Sequence, residues 1–68
     1  MEYLLVRFRE DRRVVVDGHY QGVTNKVIEI EAGSHRITLE APYDFTPHEC
    51  TITLANTAVT SPHELQFT

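Results

Sequence analysis

Apolar and polar residues alternate one by one along most of this chain. Leu4, Val6 and Phe8 share one parity, and Val14 and Val16 continue it after a polar stretch. Ile28 with Ile30, Ile37 with Leu39, Cys50 with Ile52 and Leu54, and Leu65 with Phe67 repeat the pattern. A period of two is the mark of a strand with one face in a core. No segment holds the i, i+3, i+4 spacing of an amphipathic helix. The alternation predicts strands near 2–9, 13–17, 26–31, 35–41, 48–54 and 63–68. Gly18, Gly22, Gly33, Pro42, Pro47 and Pro62 punctuate them. Short strands at this density predict an all-β domain.

Parity also constrains the connections. A hairpin over 26–41 with Ile30 opposite His35 and Ile28 opposite Ile37 needs an even loop, and Ala32-Gly33 supplies one. Gly33 can take the positive φ of such a turn. The same register sets Glu29 opposite Arg36 on the outer face. The first connection resists this treatment. Pairing Phe8 with Val14 requires an odd loop, so either a bulge lies near Arg9–Arg12 or the first two strands belong to different sheets.

The chain has 68 residues, enough for one domain, read here as 1–68. A domain of this size buries about 60% of its unfolded surface, which leaves little room for a deep cleft beside a core. The net charge is −4. Residues 1–13 carry four arginines against three acids, and residues 14–68 carry Lys26 and Arg36 against seven acids. An acidic body argues against nucleic-acid binding. Arg7, Arg9, Arg12 and Arg13 alternate with Glu10 and Asp11, so they read as a solvated strand and turn. No apolar run exceeds four residues, as at Tyr3–Val6, so no membrane span is expected. No signal peptide is visible, and the expected location is cytoplasmic unless the segment derives from an exported protein. One cysteine excludes an intrachain disulfide.

The stretch Val14-Val15-Val16-Asp17-Gly18-His19-Tyr20-Gln21-Gly22-Val23-Thr24 reads V-x-V-D-G-x-x-x-G-x-T. Ile28-Glu29-Ile30 and Ala32-Gly33-Ser34-His35-Arg36-Ile37-Thr38-Leu39 follow it. This combination, over roughly 10–54, resembles the PEGA domain, a small β-sandwich module of prokaryotic surface and regulatory proteins. The tetrapeptide that names the family falls on Arg9–Arg12, where Glu10 alone agrees. The resemblance implies a small antiparallel β-sandwich of six or seven strands. It also implies a non-catalytic binding or structural role without cofactors. In physical terms Asp17-Gly18 starts a tight turn, and Gly18 and Gly22 permit positive φ at the two ends of a compact loop. Thr24 or Asn25 is placed to cap the chain's return into the next strand.

The chemical groups do not assemble into a reactive site by spacing. Four histidines invite a metal reading, and His48 and Cys50 stand at i, i+2. Yet His35, His48 and His63 each begin a strand. Antiparallel succession then separates His48 from the other two, and a zinc site needs three or four ligands at one point. Cys50 shares parity with Ile52 and Leu54 and reads as core. Ser34 and His35 are adjacent on a strand, so their side chains point apart and form no dyad. Two binding readings remain. In one, Tyr3, Leu5 and Val15 form an outward apolar face on or beside a first strand that is a sheet edge, and they meet a protein partner or a second copy. In the other, Tyr20 in the glycine loop and Tyr43 in Pro42–Pro47 bind carbohydrate or cell envelope. Phe45 reads as a plug at the end of the sandwich.

Overall fold

The computed structural model describes residues 1–68, as seven strands and no helix. They are β1 (Glu2–Arg7), β2 (Arg13–Val16), β3 (His19–Val23), β4 (Val27–Ile30), β5 (Gly33–Leu39), β6 (Cys50–Leu54) and β7 (His63–Gln66). A three-stranded sheet has the order β4-β1-β7, and a four-stranded sheet the order β3-β2-β5-β6. Their inner faces meet in one core of Leu4, Val6, Phe8, Val14, Val16, Ile28, Ile30, Ile37, Leu39, Phe45, Leu54 and Phe67. Alternation in the strands other than β3 delivers their apolar sides to that layer, and the fold is the expected β-sandwich. No helix is long and apolar enough to cross a membrane.

The connections settle one open alternative and correct other expectations. β1 and β2 lie in different sheets, which removes the parity conflict at 8–12. β1 is the central strand of its sheet and not an edge. It pairs antiparallel with β4 and parallel with β7, so the sandwich is not wholly antiparallel. The 26–41 hairpin does not exist. β4 pairs with β1, while β5 pairs with β2 and β6, so the chain crosses between sheets at Glu31-Ala32. Gly33 has φ +113° at the start of β5, serving the crossover and not a hairpin turn. Parity cannot separate these cases, because two strands facing each other across a core satisfy it as well as two paired within one sheet.

The glycine-rich stretch also differs. Asp17 (φ 51°) and Gly18 (φ 87°) form a two-residue turn between Val16 and His19, as a primed hairpin turn requires. Residues 19–23 then form a strand, where a compact loop was expected. Gly22 (φ +84°) sits where the β2–β3 register shifts, a bulge. A Cβ there would lie 2.6 Å from Ile28 Cγ1. Glycine is therefore required both by the backbone and by the neighbour.

Candidate functional site

The two ends of the sandwich hold most of the polar chemistry. At one end lie the 8–12 and 40–49 loops and the return at Thr24-Asn25. Arg12 is buried there, contrary to the solvated reading of the arginine cluster. Its Nη1 donates to the Pro42 carbonyl at 2.7 Å and to Asp44 Oδ1 at 2.6 Å, and its Nη2 donates to Glu10 Oε2 at 2.7 Å. Arg9 adds a second bond to the Asp44 carboxylate at 2.8 Å. Hydrogen bonding to Arg12 holds the Asp44 carboxyl below the usual range, and Asp44 and Glu10 hold Arg12 in its charged form.

Beside this clamp, Thr24 Oγ1 accepts from the Arg12 N–H and donates to the Glu10 carbonyl, both at 2.8 Å. The Asn25 side chain behaves as a strand neighbour. Its Oδ1 accepts from the Phe8 N–H at 3.2 Å, and its Nδ2 donates to the Phe8 carbonyl at 3.0 Å. Thr24 and Asn25 thus both cap the return, as the sequence suggested. Phe45 plugs this end edge-on between Phe8 and Phe67, with ring centroids 6.2 and 5.6 Å away. Tyr43 lies outside the plug, 70% exposed and edge-on to Phe45.

At the other end a shallow cavity of about 260 Å³ is lined by Met1, Val16, His19, Gln21, Ile30 and His35, among others. His35 closes one side of it. Its Nδ1 lies 2.6 Å from Asp17 Oδ2 and its Nε2 lies 2.7 Å from the Glu31 carbonyl. Two acceptors on one ring favour the imidazolium, which alone donates from both nitrogens. Accordingly the Asp17 bond, with help from Glu31, raises the pKa of His35. The Arg36 N–H, donating to Asp17 Oδ1 at 2.8 Å, and His35 lower that of Asp17. His48 stands at the opposite end from His35 and His63, and no three metal-ligating groups converge anywhere in the chain.

The expected binding residues do not share one face. Tyr3 and Leu5 point outward from the three-stranded sheet, where Leu5 pairs with Val27 and Tyr3 with Glu29. The neighbouring Glu29 carboxylate keeps the pKa of the Tyr3 phenol above its usual value. Val15 points outward from the four-stranded sheet, on the opposite side of the molecule, with Tyr20 as its neighbour in register. Tyr20 belongs to β3 and not to a loop, and the Arg13 guanidinium lies 4.0 Å from its ring centroid. Tyr43 stands at the plugged end. The separation follows from the sheet assignment of β1 and β2, which alternation does not encode. Cys50 is half-buried at the rim and outside the core cluster. The clamp residues Arg12 and Asp44 were not legible, because nothing in a polar cluster marks which guanidinium turns inward.

Against known proteins, the family model for the PEGA domain matches residues 8–66. No curated protein and no solved structure gives a significant match.

Proposed function

The chain belongs to the PEGA domain family, and on that premise we propose that it is a non-catalytic module that makes contact with another protein. The observation that carries this reading is where the polar groups are used. Every buried side-chain nitrogen and oxygen has a hydrogen-bond partner within the chain. Arg12, Asp44, Thr24 and Asn25 stitch one end, and Asp17 and His35 the other, so these groups serve the fold. What is left for a partner is sheet surface. Tyr3, Leu5 and Val27 lie side by side on the outer face of β1 and β4, framed by Glu29, Glu64 and Arg7. An apolar strip with a charged rim has the composition of a small docking face. Tyr20 and Tyr43 lie toward different ends of the molecule, so they offer no common platform for a sugar ring.

Leu5→Lys tests the reading. The variant keeps its melting temperature within a few degrees, because Leu5 points away from the core, and it no longer copurifies with the partner that the wild type retains from its native cells. Unfolding by this substitution would assign Leu5 to the core and remove the face.

A further inference from the structure

Each sheet has two edges, and they differ in how well they are protected. β3 is interrupted by the bulge at Gly22 and sends Gln21 Nε2 to the Glu29 carbonyl of β4, at 3.4 Å. β4 carries Glu29, and β7 carries Glu64. These are common devices against strand addition. β6 has none of them. Cys50-Thr51-Ile52-Thr53-Leu54 contains no charge, no proline, no glycine and no bulge in its pairing with β5. Beyond that ladder no backbone hydrogen bond reaches residues 50–54, so the outer N–H and C=O groups of this strand are unpartnered. On the same side of the molecule, Ile52 of β6 and Leu65 of β7 pack against the core while remaining partly exposed.

We propose that β6 is the seam of a two-fold dimer, in which β6 of one copy pairs antiparallel with β6 of a second. This rests on the reading of the chain as an interaction module and names a partner for it. The strand is self-complementary. With Ile52 opposite itself, Cys50 meets Leu54 and Thr51 meets Thr53 of the second copy. The outer positions then give two symmetric Thr–Thr pairs, and the inner positions bring apolar side chains over the half-buried Ile52. Threonine and β-branched cross-strand pairs are favourable on both faces. No like charges stand opposite each other, although the chain carries ten acids and six bases. A two-fold axis makes the contact isologous and closed. The two four-stranded sheets become one continuous sheet across the seam.

The register gives a specific test by sedimentation equilibrium. The wild type associates to twice its 7.8 kDa mass, with a dissociation constant between about 1 μM and 1 mM, the range of a small interface. Thr51 and Thr53 are exposed, so charge is tolerated by the fold at both. Thr51→Glu with Thr53→Glu puts like charges opposite each other and weakens the dimer at least about tenfold. Thr51→Glu with Thr53→Lys puts opposite charges together and stays within about threefold of the wild type. A wild type that remains monomeric at millimolar concentration overturns the proposal, as do two variants with equal affinity. As a measurement free of substitutions, amide exchange of residues 50–54 slows as wild-type concentration rises, and exchange independent of concentration contradicts the seam. Failure here leaves the outer face of β1 and β4 untouched, and failure of Leu5→Lys leaves the seam untouched, so the two claims fall separately.

Discussion

The two ends of this sandwich solve the same problem with different chemistry. At the plugged end a guanidinium with 5% side-chain exposure gathers Glu10, Pro42 and Asp44 and lies over the Phe8 ring, which packs edge-on with Phe45. At the open end an imidazole joins the β2–β3 turn to the β4–β5 crossover beside a cavity. Arginine does not deprotonate in proteins, whereas histidine changes charge near neutral pH. One end is therefore fixed across the whole neutral range, and the other is fixed only while a proton is present. The first end also buries aromatic area, and the second does not. The difference teaches that the cohesion of so small a domain is concentrated at one end, while the sheets' outer surfaces stay free for contact.

The sharpest way to break this comparison is to remove the plug. Phe45→Ala leaves a void between Phe8 and Phe67 and should cost about 3 kcal/mol or more, a large share of the stability of a domain this small. Urea denaturation reads it, and a loss below about 1 kcal/mol would mean that the plugged end collapses without strain. Next in size are the glycines. Gly22→Ala forces both a positive φ and a Cβ 2.6 Å from Ile28, and should cost about 2–3 kcal/mol. Gly18→Ala meets no neighbour and should cost only about 1 kcal/mol, from φ alone. Equal losses would show that the bulge at Gly22 relaxes away from β4.

Thr24→Val is smaller again. It keeps the shape and removes the bonds to Arg12 and Glu10, at a cost of about 1–2 kcal/mol. The smallest effect belongs to the open end. The raised pKa of His35 means that its contribution is complete below the ordinary histidine value, about 6.5, and is lost as pH rises through the folded value. The lowered pKa of Asp17 means that its contribution is present above the usual aspartate value and is lost as pH falls through the folded value. The pair is therefore strongest between about pH 4 and pH 6.5. The melting temperature should fall by a degree or two between pH 6 and pH 9, about the size expected of a largely surface pair. His35→Phe should abolish that slope. A slope unchanged by the substitution would assign it to another group.

Alternation made the core legible. The apolar inward positions of 4–39, together with Leu54 and Phe67, are buried as their parity requires. Phe45 was readable as a plug because it is a bulky apolar residue between two prolines. β3 was not readable, since His-Tyr-Gln-Gly-Val does not alternate. Its inner positions, His19 and Gln21, line a cavity and do not enter the core. Asp17-Gly18 carries the hairpin signal, but the second glycine at Gly22 extends the sequence reading to a longer loop. Strand neighbours were not readable either. The register of β4 and β5 satisfies a hairpin and a crossover alike, and alternation likewise leaves the sheets of β1 and β2 open, which merges Tyr3, Leu5 and Val15 into one face where the structure has two.

The central claim is that contact belongs to sheet surface while the ends serve the fold. Photo-cross-linking in native cells tests it most directly, with a benzophenone amino acid placed at Leu5 in one variant and at Tyr43 in another. Both sites are compatible with the fold, since Leu5 points outward and Tyr43 is exposed. The account predicts a discrete protein adduct from position 5 and none from position 43. An adduct from position 43 alone would contradict it and place the contact at the plugged end.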